Sequence, residues 1–167
     1  MLLYKALDDL YPATRLRIEH SMAGGYYCRL FKGQEVTPEV IARLRERMHE
    51  IVGLDLEFER KERLTRDVIE IFRRQGLNDK VRLLSTIHDL YTVYYRLGDR
   101  LCDSYCGNLA PRTSMLRVFD LTPYKEGFLL MGPDPADPSR VAPPVRADKM
   151  YAVSYTHLRA HETVLDL

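Results

Sequence analysis

The stretch "TPEVIARLRERMHEIVG" (37–53) constrains the fold more than any other part of the chain. Thr37 is a natural N-cap, Pro38 suits the first helical position, and Glu39 complements the positive end of the helix dipole. Val40, Ile41, Leu44, Met48, Ile51 and Val52 recur at helical spacing and make one continuous apolar stripe. Gly53 is placed to end the helix. A helix of this kind has to lay its stripe on another element, and the segments around it read largely as strands.

Upstream, "RLRIEH" (15–20) alternates basic and apolar residues, "SMAGG" supplies a turn at Gly24-Gly25, and "YYCRLF" (26–31) completes a hairpin. Downstream, "LEFERKER" (56–63) sets Leu56, Phe58 and Arg60 against charged neighbours, predicting a strand with one wet face. "TRDVIEIFRRQG" predicts a second capped helix, from Thr65 to a Gly76 terminator, and "NDKVRLLSTI" a short one. "LYTVYYRL" and "RLCDSYC" flank Gly98-Asp99, a hairpin signal. "MLRVFDL" and "GFLLM" read as two further strands. The expected class is α+β: an antiparallel β-sheet packed with two long helices and one short helix. No internal repeat is visible.

The totals exclude several roles. With 25 basic and 24 acidic residues the net charge is +1, too little to argue for nucleic acid or an acidic membrane on electrostatics alone. No apolar run approaches the roughly 20 residues that span a bilayer. Three cysteines, an odd number, with no signal peptide, point to free thiols in a reducing cytoplasm. No GxxxxGK followed by Ser or Thr occurs, so the backbone cradle and lysine that hold nucleotide phosphates are absent.

Both ends of the chain invite comment. "MLLYKALDDLY" has helical spacing that Pro12 stops, but no capping residue precedes it, so either residues upstream are missing or Met1 is an internal methionine. "GPDPADPSRVAPPVRADK" reads as an extended linker over 132–152, leading towards a further domain. In the tail, "SYTHLRAHET" places His157 and His161 four residues apart, a zinc-like spacing on a helix. One allowed codon set for residues 153–163, however, spells the end of a transposase-type sequencing adapter. The tail over 153–167 is therefore expected to be translated adapter, with a genuine amphipathic helix as the other reading.

The order helix, "LRIEH…GGYYCRL", "TPEVIARLRERMHEIV", "LEFERKE", "TRDVIEIFRRQG" and "YYRLGD…C…PRTS" resembles the second N-terminal domain of bacterial threonyl-tRNA synthetases, shared with alanyl-tRNA synthetase. The likeness covers residues 1–131. The chain is also similar to the N-terminal region of uridine kinase-like nucleoside kinases, in "LRIEHSMAGGYYCRL", "NDKVRLLS", "LYTVYYRLGD", "YCGNLAPRTS", "RVFDL" and "YKEGFLLM". That second resemblance implies a parent enzyme using ATP and Mg²⁺ to phosphorylate a nucleoside 5′-hydroxyl, with this chain as its non-catalytic accessory part. Implied partners are the missing kinase domain, a second copy as a homodimer, or a nucleotide or RNA ligand; no membrane, cofactor or metal is implied for residues 1–167.

In the synthetase domain an HxxxH on the first helix and a CxxxH in the later hairpin hydrolyse serine from mischarged tRNA. Here the first helix has no histidine, the cysteine position falls on Tyr105 and the histidine position on Leu109, so editing is not expected. The residues left for a vestigial cleft are His20, Tyr26, Tyr27, Tyr95, Asp99 and Tyr105. Cys102 and Cys106 on one strand would stand about 13 Å apart, too far to share an ion. Cys28 reads as core. His20 reads as a structural or hydrogen-bonding residue or as part of the cleft, His49 as favouring a helix C-terminus, and His88 as lying in a turn. Tyr91, Tyr94, Tyr95 and Tyr105 read as one packed sheet face or, alternatively, a base-stacking platform. Arg43, Arg45 and Arg47 read as a solvated face neutralised by Glu46 and Glu50.

Overall fold

The computed structural model describes residues 1–22, 24–105 and 107–143. Its elements in chain order are α1 (Leu2–Leu10), β1 (Arg15–Met22), β2 (Gly25–Phe31), α2 (Pro38–Gly53), β3 (Phe58–Leu64), α3 (Thr65–Arg74), α4 (Asn78–Thr86), β4 (Tyr91–Leu97), β5 (Leu101–Asp103), a 3-10 turn (Thr113–Met115), β6 (Asp120–Tyr124) and β7 (Gly127–Met131). The class is α+β, and the strands form two antiparallel sheets where the sequence suggested one. They belong to two compact units: Met1–Leu10 with Glu46–Arg117, and Tyr11–Arg45 with residues 118–143. Among the described residues no helix is long and apolar enough to cross a membrane.

The helix α2 forms as its caps dictate. The Thr37 hydroxyl accepts the N–H of Val40 at 3.3 Å, and all six stripe residues are buried. It stops at Gly53, but the residue that reverses the chain in the left-handed region is Asp55, at φ 51°. Aspartate tolerates that conformation. Arg112 holds it there, gripping the Asp55 carboxylate at 2.8 Å and its carbonyl at 2.5 Å.

In the first unit the sheet order is β3-β4-β5. Val68 and Phe72 of α3, Leu84 of α4, Tyr94 of β4 and Cys102 of β5 form one cluster. Phe58, Tyr95 and Leu97 form another, joined by Leu101, Tyr105, Leu109 and Leu116. Successive strand residues point to opposite faces, so Tyr94 and Tyr95 bury both sides of this sheet. The four tyrosines therefore make neither one face nor a platform, and Tyr91 is 56% exposed. At the end of α3, Gly76 (φ 70°) closes a paired C-cap: its N–H donates to the Arg73 carbonyl and that of Leu77 to the Phe72 carbonyl, both at 3.0 Å. Thr65 does not cap α3. Its hydroxyl donates instead to the Asp89 carbonyl at 2.5 Å and meets the Thr92 hydroxyl at 2.9 Å, tying helix to strand.

In the second unit the order is β1-β2-β7-β6, with β2 paired to β7 across most of the chain's length. A Cβ on Gly127 would stand 2.2 Å from the Cys28 carbonyl oxygen, so only glycine lets these backbones meet. The expected strand at "MLRVFDL" begins only at Asp120 and runs on through Pro123 to Tyr124. Proline is tolerated there because β6 is an edge strand with no ladder bond required of that nitrogen. Of the proline-rich stretch, residues 132–143 turn back on themselves. The Ala142 N–H donates to the Gly132 carbonyl at 2.9 Å, and Ala142 is buried with Tyr27, Leu129 and Met131. Residues 144–152, the adapter-like tail and its His157 and His161 lie outside the described residues, as does Cys106.

Candidate functional site

At the end of the β4–β5 hairpin, in the first unit, polar side chains from two elements gather. Antiparallel pairing sets Asp103 opposite Tyr95. The Asp103 carboxylate accepts the Lys80 ammonium at 3.1 Å and the Ser104 N–H at 2.7 Å. Lys80, from the first turn of α4, also donates to the Ser104 carbonyl at 2.8 Å and stands 5.6 Å from the centre of the Tyr105 ring. The Tyr105 hydroxyl is closed off from solvent beside Asp103. Burial first, and then the Asp103 charge, push its phenol well above the ordinary tyrosine range. It stays protonated at any physiological pH. Nearby, the Tyr95 hydroxyl donates to the Gly107 carbonyl at 3.2 Å and accepts the Leu109 N–H at 3.4 Å, pinning the loop that follows the hairpin.

Lys80 and Asp103 already pair with each other, and the buried Tyr105 hydroxyl meets no hydrogen-bond partner among the described residues. Lys80 is spent on Asp103 and Ser104, and the phenol is a neutral group held against a carboxylate. The arrangement supplies neither an activated nucleophile nor a free base, and it lies where the sequence resemblance puts an editing cysteine. Leu109, at the histidine position, packs in the apolar cluster of Phe58, Tyr95 and Leu97.

The six expected cleft residues are placed as follows. Tyr95 and Tyr105 share that cluster; Asp99 is exposed on the hairpin turn, at the other end of the hairpin from Tyr105. In the second unit His20 lies opposite Tyr27 across the β1–β2 ladder, with ring centres 5.6 Å apart, and Tyr124 meets Tyr27 edge-on at 6.0 Å. Tyr26 points to the other face and is 55% exposed. Sequence reasoning missed Lys80 and Asp103, whose partnership spans 23 positions and leaves no local signal.

The remaining candidates resolve into structure. Cys102 is buried among Val68, Phe72, Leu84 and Tyr94, and burial raises its thiol. Burial pushes the Cys28 thiol up to about 12, so it is inert as a nucleophile. His49 lines a shallow depression of about 540 Å³ with Val52, Gly53, Asp55, Ser114 and Arg117, at the C-terminal end of α2. His88 is exposed in the α4–β4 connection. The arginines of α2 are more than a solvated face. Arg47 clamps Asp9 at 2.8 Å, Arg45 reaches Asp120 at 2.9 Å and the Leu121 carbonyl at 3.0 Å, and Arg43 lies over the Tyr11 ring. Among the described residues no three His, Cys, Asp or Glu side chains gather as metal ligands.

No family model matches the chain. Curated relatives do. The threonine–tRNA ligase of Citrifermentans bemidjiense is 31% identical over 121 residues, 72% of this chain and 19% of that protein. The threonine–tRNA ligase of Geobacter sp. (strain M21) is 30% identical over 121 residues, with the same two shares. That of Xanthomonas campestris pv. campestris is 30% identical over 120 residues, 70% of this chain and 19% of the ligase. The chain thus carries a domain similar to part of the threonine–tRNA ligases, and it spans about a fifth of the length of these relatives.

Proposed function

We propose that this chain is a non-catalytic module of the threonyl-tRNA synthetase editing-domain type, kept as the N-terminal accessory region of an ATP-dependent nucleoside (uridine) kinase. The observation that carries the loss of catalysis is Tyr105. A neutral, buried phenol stands at the position implied for a reactive thiol, with Asp103 beside it and Lys80 already paired. A phenol in that state neither attacks an ester nor binds a metal ion. The kinase parent rests on the sequence likeness alone, from "LRIEHSMAGGYYCRL" to "YKEGFLLM".

The experiment is deacylation of serine-charged threonine tRNA by the full chain. Serine release should match buffer, and an accelerated release would reject the non-catalytic reading. The parent is tested on the gene: reading past codon 152 should enter a strand followed by GxxxxGK and Ser or Thr. A stop directly after "HETVLDL" would reject the kinase. The likeness to threonine–tRNA ligases favours a second reading, in which the module binds tRNA without cleaving it. Binding at low salt that falls steeply as salt rises would support that reading.

A further inference from the structure

The strand β3 is an edge of its sheet, with β4 on one side only. On the other side the Phe58 N–H donates to the Pro111 carbonyl at 2.9 Å and the Leu56 carbonyl accepts the Thr113 N–H at 2.8 Å. This cover ends at Phe58. Alternation in an antiparallel ladder turns the backbone groups of Glu59, Lys61 and Arg63 towards β4, and those of Arg60 and Glu62 outward. Among the described residues no backbone or side-chain partner meets Arg60 or Glu62 on that edge, and the side chains of Arg60, Glu62 and Arg63 are exposed and outside every ion pair.

The edge reads FERKERL, which is a charge palindrome. Laid antiparallel on its own copy about Lys61, Glu59 faces Arg63, Arg60 faces Glu62 and Phe58 faces Leu64. Lys61 alone meets its like, and Glu59 stands 2.8 Å from it to offset that charge. The same register satisfies the backbone, because Arg60 and Glu62 both point outward and become a hydrogen-bonded pair. A shift of two residues one way sets Glu62 against itself and Lys61 against Arg63. A shift the other way runs into residues 111–113, already seated on the edge. Exposed edges are usually blunted by charge; here the charges repel a foreign strand of the wrong pattern and complement their own.

We propose that β3 is a homodimerisation edge, on which two copies of this chain pair antiparallel through Arg60 and Glu62 and join two three-stranded sheets into one of six strands. The contact is isologous, with the two-fold axis at Lys61. It stands apart from the proposed function and survives that reading's failure.

Sedimentation equilibrium of the full chain over a concentration series tests it. The wild-type chain should associate reversibly, less so in high salt. Arg60→Glu and Glu62→Arg, each creating like pairs on both sides of the axis, should each weaken association about tenfold or more. An equimolar mixture of the two variants should associate again, because each supplies the charge that the other lacks. Circular dichroism checks that both variants are folded, and Arg60→Gln, which removes the charge without reversing it, should give an intermediate weakening. A wild-type chain that stays monomeric at roughly millimolar concentration overturns the proposal. So do reversal variants that associate as tightly as wild type, and a folded mixture that stays monomeric.

Discussion

Both units carry ion pairs, but the unit of β3, β4 and β5 ties the end of its helix to a distant loop through one buried hydroxyl, whereas two distant strands of the unit of β1, β2, β7 and β6 meet by direct backbone approach. In the first, the buried Thr113 hydroxyl donates to the Ile51 carbonyl at 2.9 Å and accepts the Leu56 N–H at 2.8 Å. That one side chain satisfies an orphan carbonyl at the end of α2 and an orphan donor just beyond it. In the second, β2 and β7 come from distant parts of the chain, and Gly25 and Gly127 let them touch. A unit of the first kind is vulnerable to the loss of one polar atom. A unit of the second kind is vulnerable to a gain of volume.

The largest expected effect is common to both units and tests whether they are separate at all. Phe72 and Phe128 are each 0% exposed, one in each unit. Phe72→Ala and Phe128→Ala should each cost about 3–5 kcal/mol by lost transfer energy and a residual cavity. Hydrogen exchange read by mass spectrometry should show Phe72→Ala deprotecting β3–β5 and Phe128→Ala deprotecting β2 and β7. If either variant exposes both sets of strands equally, the two units unfold as one cooperative body and the contrast between them dissolves.

Local chemistry in the sequence was legible to the extent that it was local. The stripe and cap of α2, the Gly76 terminator and the Gly98 hairpin all depend on neighbours within a few positions. The misread features depend on distant partners. Thr65 looks like a cap but bonds Asp89 and Thr92. Arg45 and Arg47 look solvated until Asp120 and Asp9 arrive from elsewhere in the chain. The division into two sheets follows from the β2–β7 pairing, which no local pattern encodes. Pro123 hid a strand because an edge position cannot be read from the strand itself. Within the candidate site, the absence of a cysteine at Tyr105 was visible, and the Lys80–Asp103 pair that closes it was not.

A smaller effect isolates the polar clasp. Thr113→Val keeps the shape and removes the hydroxyl, leaving the Ile51 carbonyl and the Leu56 N–H unpaired. Urea denaturation should show a loss of about 2 kcal/mol. Thr113→Ser, which keeps the oxygen, should recover most of it. Equal loss in both variants would mean that the methyl group, and so packing, does the work here as it does in the other unit.

The smallest effect is electrostatic, and its distribution separates the units. Burial opposes ionisation of Asp9, but Lys5 and Arg47 outweigh it and hold the carboxyl below its ordinary 3.8. Arg112, then Ser114, does the same for Asp55, and Lys61, then Arg96, for Glu59. All three lie in the β3–β5 unit, whereas the other has Glu39, lowered by its own N–H and by Thr37. A carboxyl whose folded pKa is depressed contributes stability above its unfolded value and loses it as pH falls through the folded one. Below about pH 4, therefore, β3–β5 amides should lose exchange protection before those of β2 and β7, and added salt should narrow the gap by screening these largely exposed pairs. Loss of protection in β2 and β7 first would show that the carboxylate clasps contribute nothing the long-range sheet lacks.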